Sequence, residues 1–302
     1  MILKRWRNLG LNTTASAEKP SILLTFDVED WFQVENLKSQ IPVSTWHQRE
    51  LRVQKNTDLI LDLLDSFDFG PKATFFVLGW VAQKCPDLVQ NIAQRGHEVA
   101  SHGFGHGLCS QMTPKELAQD LDVSKKMLED MLGLPVSGYR APSFSITPTA
   151  LNLIQKAGYR YDSSYNSFSG HGRYGKFDFS QFSKHRGSVC ISPDFCEVPV
   201  SNFEFRGRVL PLGGGGYFRL LPQAFFKLGM QSVLKKQNAF VFYAHPWEFD
   251  PGQPRVTGIH PWLKFRHYTC LNRTASKLAA MIQAFKWARF ETVSRFLAQM
   301  PC

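Results

Sequence analysis

Long apolar runs are missing from this 302-residue chain. No stretch approaches the roughly 18 uninterrupted apolar residues of a membrane-crossing helix, so none is expected. Lys4, Arg5 and Arg7 open the chain, but no apolar segment of the kind a secretory leader requires follows them. A cytoplasmic protein is therefore expected, with residues 1–20 as a flexible tail. Paired cysteine spacing is missing too. Cys85, Cys109, Cys190, Cys196, Cys270 and Cys302 are scattered, which excludes a cysteine-ligated zinc module and a dense disulfide scaffold and reads as reduced thiols. The glycine run at 213–216 is not followed by Gly-Lys-Ser/Thr, which excludes a phosphate-binding loop. It reads as a flexible turn, or as a place where backbone approaches a substrate closely. Acidic residues are scarce near the end: residues 255–302 hold eight Lys/Arg and one acid, Glu291, and so carry most of the net charge of +10. Such a surface suits peripheral contact with an anionic membrane face, though a solvated basic face is the plainer reading; a nucleic-acid partner is not expected.

What is present is organised around residues 21–32, SILLTFDVEDWF. A short apolar run that breaks into Asp27, Glu29 and Asp30 is the pattern of a buried parallel strand emerging into a polar pocket. Residues two apart on a strand share a face, so Asp27 and Glu29 point the same way, and Asp30 joins them if the chain turns. A helical spacing follows at 56–67, broken by Gly70-Pro71, and residues 73–78 form a second apolar strand. Residues 86–95 read as a helix begun by proline and stopped by Gly96; 97–101 is a short strand running into His102 and His106. Thr113-Pro114-Lys115-Glu116 is a capping box that starts a long helix to about Leu132. Strands at 137–140 and 159–162 flank a helix from Thr147-Pro148 to Gly158. Residues 163–192 show no period and read as an irregular insertion. Strands are expected at 197–200, 209–212 and 239–245, a helix at 222–236, and two closing helices at 273–287 and 290–300. The alternation implies an α/β fold with parallel pairing and right-handed crossovers.

In such folds chemistry collects at the carboxyl ends of the strands. Five expected strands end in Asp27/Glu29, His102, Arg140, Asp162 and His245. Two imidazoles four residues apart, with one carboxylate, form a donor set for a catalytic zinc site that keeps an open position; Co²⁺, Ni²⁺ and Fe²⁺ suit the same donors. A second carboxylate beside it suits a general base, and Asp27 fits, with Arg140 gripping it through a fork of hydrogen bonds. His245 suits a general acid, its tautomer fixed by Asp162. Tyr165, Phe168, Tyr217, Phe218, Trp247 and Trp262 offer flat faces for a sugar ring, and a backbone N–H near Ser143-Phe144 suits a developing oxyanion.

The ordered phrases TFDVED, SHGFGH, YRAPSF, YDSS and FYAHPWE resemble the five motifs of the NodB-homology polysaccharide deacetylases, carbohydrate esterase family 4. The phrases DVEDWFQV, ATFFVLGW, GGGYFRLLP and FRHYTCLNR more narrowly resemble the deacetylases associated with bacterial exopolysaccharide and exosortase gene clusters. The resemblance implies a distorted (β/α) barrel of about seven parallel strands over 21–250, with a C-terminal helical extension over 251–302 packed on it. It implies that Asp27 is the base, that His102 and His106 bind metal, that Arg140 tethers the base and that His245, supported by Asp162, is the acid. Ser143, Phe144, Tyr165 and Trp247 would contact substrate. The implied reaction is hydrolysis of N-acetyl groups on an amino-sugar polymer or lipid-linked precursor, with a deformylase or another non-peptide amide hydrolase as the alternative. Two positions depart from the family pattern. Val28 stands where a second aspartate usually binds metal, leaving Glu29 or Asp30 as acidic ligand, Glu29 being favoured because it shares the Asp27 face. Gly103 stands where a hydroxyl residue usually braces the loop.

Overall fold

The computed structural model describes residues 19–170 and 172–300, so most of the expected N-terminal tail lies outside the described residues. The strands are β1 (Ser21–Val28), β2 (Ala73–Val77), β3 (Glu98–Ser101), β4 (Gly138–Tyr139), β5 (Tyr161–Asp162), β6 (Ser183–His185), β7 (Ser188–Ser192), β8 (Phe195–Glu197), β9 (Asn202–Phe205), β10 (Arg208–Pro211), β11 (Ala239–Ala244) and β12 (Arg289–Phe290). The helices are α1 (Val53–Asp65), α2 (Gly79–Lys84), α3 (Pro86–Gln94), α4 (Pro114–Leu132), α5 (Pro148–Lys156), α6 (Gly215–Leu220), α7 (Gln223–Gln237), α8 (Pro261–Tyr268), α9 (Thr274–Ala284) and α10 (Val293–Leu297).

The main sheet runs β11-β1-β2-β3-β4-β5-β8-β7-β6. Every pairing from β11 to β8 is parallel, which gives the seven parallel strands of a distorted (β/α) barrel. The sheet curls back onto β11 through an irregular seam: Ser201 donates to Val241 O, Gly213 to Ser201 O, and Tyr243 to Gly213 O, at 3.3, 2.8 and 2.7 Å. β1 is buried along its whole length because both faces are covered. Ile22, Leu24, Phe26 and Val28 pack into the main core with the helices, whereas Leu23 packs in a separate inner cluster with Phe76, Ala100 and Val241. Each such side chain contributes roughly 1.5–3 kcal/mol of burial. Position 28 therefore belongs to the helical layer, which accounts for an apolar residue there.

Local signals account for much of this. The Thr113 hydroxyl accepts from Glu116 N and the Glu116 carboxylate accepts from Thr113 N, at 3.3 and 2.8 Å, and Gly133 ends α4 at φ 65°. Thr147 caps α5 through Ala150 N.

Three expectations change. Residues 163–192 are not wholly irregular, since β6 and β7 form an antiparallel hairpin that extends the sheet. The glycine run is not a flexible turn. A Cβ at Gly213 would lie 2.6 Å from Val241 O and one at Gly215 2.2 Å from Glu248 Oε1, so packing on both sides demands glycine. The two closing helices are shorter than expected, α9 stopping at Ala284 and α10 spanning Val293–Leu297, and Arg289–Phe290 between them forms β12 beside Ser21 and Ile22. β2 begins pairing with β1 only at Leu24, so the first backbone groups of β1 need another partner, and β12 supplies it.

His97 precedes β3, is 6% exposed, and accepts a hydrogen bond from Ala73 N on Nδ1 at 3.2 Å. Burial, with Lys72 nearby, pushes its pKa down to about 4. The unfolded chain thus binds a proton near pH 6.5 that the folded chain refuses, and stability is lost as pH falls from 6.5 through 4, by roughly 3 kcal/mol at most. Denaturant melts over that window should show this decline, and His97→Gln should flatten it by up to about 1.4 kcal/mol per pH unit.

Candidate active site

The carboxyl ends of β1, β3, β4 and β11 converge on one cleft, lined by Asp27, Glu29, His102, His106, Ser143, Phe144, His245 and Trp247 among others. Behind Asp27 lies Arg140, fully buried just beyond β4. One guanidinium nitrogen donates to Asp27 Oδ1 and to Thr25 Oγ1, both at 2.7 Å. The others reach Ser163 O at 2.9 Å and Ser163 Oγ at 2.8 Å, and the cation lies 4.1 Å above the Phe76 ring. All three guanidinium nitrogens are thus hydrogen-bonded, as a buried guanidinium requires.

Glu29 follows β1 through a tight turn in which its N–H donates to Asp27 O at 3.0 Å. Ligand atoms of Glu29, His102 and His106 all lie within 4.8 Å of one another, and all three residues are buried. His102 Nδ1 donates to Arg140 O at 2.8 Å; a carbonyl can only accept, so the neutral ring keeps its lone pair on Nε2. His106 Nε2 lies 2.8 Å from Glu29 Oε2, yet no donor is well aligned on that buried oxygen. Burial alone would raise the Glu29 carboxyl, but His106 and His245 outweigh it and bring it down to about 2. Burial depresses His102 to about 4, so its ring is neutral near pH 7. Two neutral-capable imidazoles and one ionised carboxylate, with an oxygen in want of a partner, fit a divalent cation. Asp30 takes no part in that cluster. It accepts from Trp31 N, Arg52 N and Val53 N at 2.8, 2.7 and 2.8 Å, and so anchors the start of α1.

The loop that carries the histidines has its own brace. Phe104 N donates to both oxygens of Asp120 on α4, at 3.2 and 3.1 Å, and Gly103 N donates to Ser101 Oγ at 3.2 Å. Gly103 sits at φ 74°, and a Cβ there would lie 2.8 Å from Asp120 Oδ2. Glycine at 103 is thus what lets Asp120 do the bracing that a hydroxyl was expected to do. His106, at φ 57°, closes the turn under strain.

Asp162 does not partner His245. Its carboxylate accepts from Ser164 Oγ at 2.6 Å. Burial raises the pKa of Asp162 and pushes that of its neighbour Glu197 well up, with the Asp162 charge adding to the rise at Glu197. His245 Nδ1 instead donates to Glu248 Oε1 at 2.9 Å, and Glu248 Oε2 accepts from Arg219 Nε at 2.7 Å. Glu248 also accepts from His245 N, closing a capping box around Pro246–Phe249. The spacing His-x-x-Glu was the available signal for this partner. His245 Nε2 stands 3.5 Å from Glu29 and 3.8 Å from Asp27. Burial would lower His245, but Glu29, Glu248 and Asp27 raise it to about 9, leaving an imidazolium at neutral pH.

The aromatic residues sort differently from expectation. Trp247 is sandwiched between His245 and His267, with ring centroids 5.2 and 4.3 Å away, and its Nε1 donates to Glu29 Oε1 at 3.1 Å. It orients a carboxylate and has no free face for a sugar. Tyr165 packs edge-on against Phe179 and Phe218 is in the core. Phe168 packs edge-on to Tyr217, and neither it nor Trp262 lines the cleft. Phe144 and Tyr217 do line it, joined by Tyr174 and Tyr243, which the sequence did not single out. Ser143 and Phe144 reach the cleft on a strained turn, at φ 53° and 56°, and Phe144 N is already committed to Ala141 O at 2.9 Å.

Comparison with known proteins gives two family matches. Residues 14–161 match a polysaccharide deacetylase model, and residues 163–295 match a domain of unknown function, DUF3473. A Gibberella zeae peptidoglycan deacetylase-like protein is 31% identical over 112 residues, 37% of this chain and 32% of that protein. A Bacillus cereus peptidoglycan-N-acetylglucosamine deacetylase is 31% identical over 104 residues, 34% of this chain and 47% of that protein. The chain thus spans less than half the length of these curated relatives. Among solved structures, one from Mycobacterium smegmatis described as a polysaccharide deacetylase superposes with a TM-score of 0.60 at 19% identity, over 94% of this chain and 91% of that one. That likeness concerns the fold.

Calorimetric titration of metal-free protein with Zn²⁺ should separate the two acidic candidates. Glu29→Gln and His102→Ala should each weaken binding by more than the ~10–100-fold typical of outer-shell changes. Asp30→Asn should leave the stoichiometry at one ion and instead lower the melting temperature, because three backbone donors lose a charged acceptor.

Proposed function

This chain belongs to the polysaccharide deacetylase family, and we propose on that footing that it hydrolyses N-acetyl groups of an amino-sugar polysaccharide, such as a bacterial exopolysaccharide, releasing acetate. The observation that carries this reading is the joint placement of Asp27, held by Arg140, and His245, held by Glu248, beside the Glu29–His102–His106 cluster. We assign that cluster a divalent cation, Zn²⁺ by preference. Such an ion supplies Lewis-acid polarisation of the acetyl carbonyl and a more acidic water.

The residues of the chain do the rest. Arg140 fixes Asp27 Oδ1 and leaves Oδ2 in the cleft, 3.8 Å from His245 Nε2, so the carboxylate is free to take the proton of the attacking water. Water oxygen adds to the acetyl carbon; the C–N bond then breaks, acetate leaves, and the amine nitrogen takes the proton that His245 Nε2 delivers. His245 is suited to this because Nδ1 is committed to Glu248 and only Nε2 faces the reacting atoms. Glu248 is a positioning residue, itself fixed by Arg219, and its negative charge favours the imidazolium form. Phe144 and Tyr243, with centroids 4.7 Å apart, form an apolar wall near the acetyl group.

Zinc-loaded protein incubated with N-acetylglucosamine oligomers should release acetate, and chelation should abolish the release. Asp27→Asn should lower kcat by ~10²–10⁴-fold with the fold intact. Acetate release unchanged in that variant, or none from any N-acetylated oligomer at any metal loading, would defeat the reading. Glu248→Gln should lower kcat about 10–100-fold with KM nearly unchanged, since it removes tautomer control rather than a substrate contact.

A further inference from the structure

The charges around the cleft do not balance. Four carboxylates line it: Asp27, Glu29, Glu35 and Glu248. Each already has a partner. Arg140 holds Asp27, imidazoles face Glu29, Arg219 and His245 hold Glu248, and Lys38 lies 3.5 Å from Glu35. Two further guanidiniums line the same cleft, Arg173 and Arg266. Among the described residues neither has a carboxylate within ion-pair distance. Arg173 donates to the neutral amide of Asn36, and Arg266 lies 5.9 Å from the centre of the Tyr217 ring. Both are partly withdrawn from water. Burial lowers the Arg173 pKa against the pull of Glu35, with Arg266 adding repulsion of like sign, so the two cations feel one another.

Two half-buried guanidiniums facing one cleft without counter-charge carry a desolvation cost that a neutral sugar does not relieve. A carboxylate or phosphate relieves it, and the planar guanidinium fork matches either group. Resting on the deacetylase reading above, we propose that the substrate is an anionic amino-sugar glycan, one that carries a carboxylate or phosphate next to the N-acetyl residue, and that Arg173 and Arg266 select it. Both residues come from the segment matching the domain of unknown function, which thereby acquires a role as the charge-reading wall of the cleft. Tyr217, beside Arg266 in the same lining, gives the sugar ring a surface to rest on.

Three matched disaccharide probes test this: neutral di-N-acetylchitobiose, its 6-phosphate, and N-acetylglucosamine linked to glucuronate. Binding is measured by calorimetry on the zinc-loaded Asp27→Asn protein at about 50 and 300 mM salt, and acetate release on the unmodified protein. At least one anionic probe should bind about tenfold or more tighter than the neutral one, and the gap should narrow at high salt. Preference for only the phosphate or only the glucuronate probe supports the proposal and names the source of the anion. Arg173→Gln/Arg266→Gln should reduce the preference to about twofold or less, and the Lys pair should retain part of it. Should the double variant fold poorly, Arg266→Gln alone should still lose most of the salt-dependent gap. Equal binding of all three probes, or a preference that survives the glutamines, overturns the proposal. Tight anionic binding without acetate release from any probe would overturn the deacetylase reading and leave this one standing; acetate release with no charge preference would do the reverse.

Discussion

The structure depends on one buried cation. Arg140 starts beyond β4 and crosses the barrel interior to β1, where it meets Thr25 and Asp27. A lone guanidinium in such a place would cost several kcal/mol, and removing one partner from a buried pair typically costs about 3–5 kcal/mol. The site avoids this because β1 and the turn after β5 both supply the guanidinium with acceptors. The carbonyl of Arg140 fixes His102, its side chain fixes Asp27, and Ser163 beyond β5 fixes the side chain in turn. Barrel geometry and cleft geometry are therefore one constraint. A shift of β4 relative to β1 would break the ion pair and turn the His102 imidazole of the proposed metal cluster at the same time.

A second anchored cation sets the opposite side. Arg219, on α6, holds Glu248 and also donates to Thr269 O and Arg266 O. Glu248 holds His245, and the stacked rings of His245, Trp247 and His267 continue the chain of contacts to α8. The tight approach of Gly215 to Glu248 shows why α6 begins with glycine. Any side chain at 215 would push Glu248 away from the imidazole it orients. The two halves of the cleft thus use the same device, an arginine holding a carboxylate, for different ends: one carboxylate faces the cluster directly, and the other acts through a ring.

Much of this was legible in the sequence because the strand ends are marked by abrupt changes from apolar to polar residues. Asp27, His102, Arg140 and His245 could each be placed at a strand end from local pattern alone, and the barrel follows from the alternation of elements. The partner of His245 was not legible in the same way. Asp162 and Glu248 both lie near a strand end, and only the turn at Pro246–Phe249 decides which carboxylate reaches Nδ1. The aromatic residues were least legible. A side chain such as Trp247 has the composition of a sugar platform, and only its two stacked neighbours reveal that both faces are taken. β12 was missed for a related reason: two residues carry no period, and their pairing answers a vacancy at the start of β1 some 270 positions away in the chain.

The division into two family matches does not correspond to two independent working parts. The first, residues 14–161, contains Asp27, Glu29, His102, His106 and Arg140. The second, residues 163–295, contains His245, Glu248, Arg219 and the strand β11 that pairs with β1. A chain ending near residue 161 would leave β1 with an open edge and Asp27 without its facing imidazole. The acid and the base of the proposed reaction lie on adjacent parallel strands, β11 and β1, whose register from Ser21–Ala239 to Phe26–Ala244 sets Asp27 and His245 side by side at the strand ends. That register is fixed by six residue pairs of buried backbone, and a slip of one residue would exchange the inward and outward faces of the strand that moved. The segment matching the domain of unknown function therefore supplies two of the seven parallel strands, β8 and β11, and the separation of acid from base is decided by strand pairing.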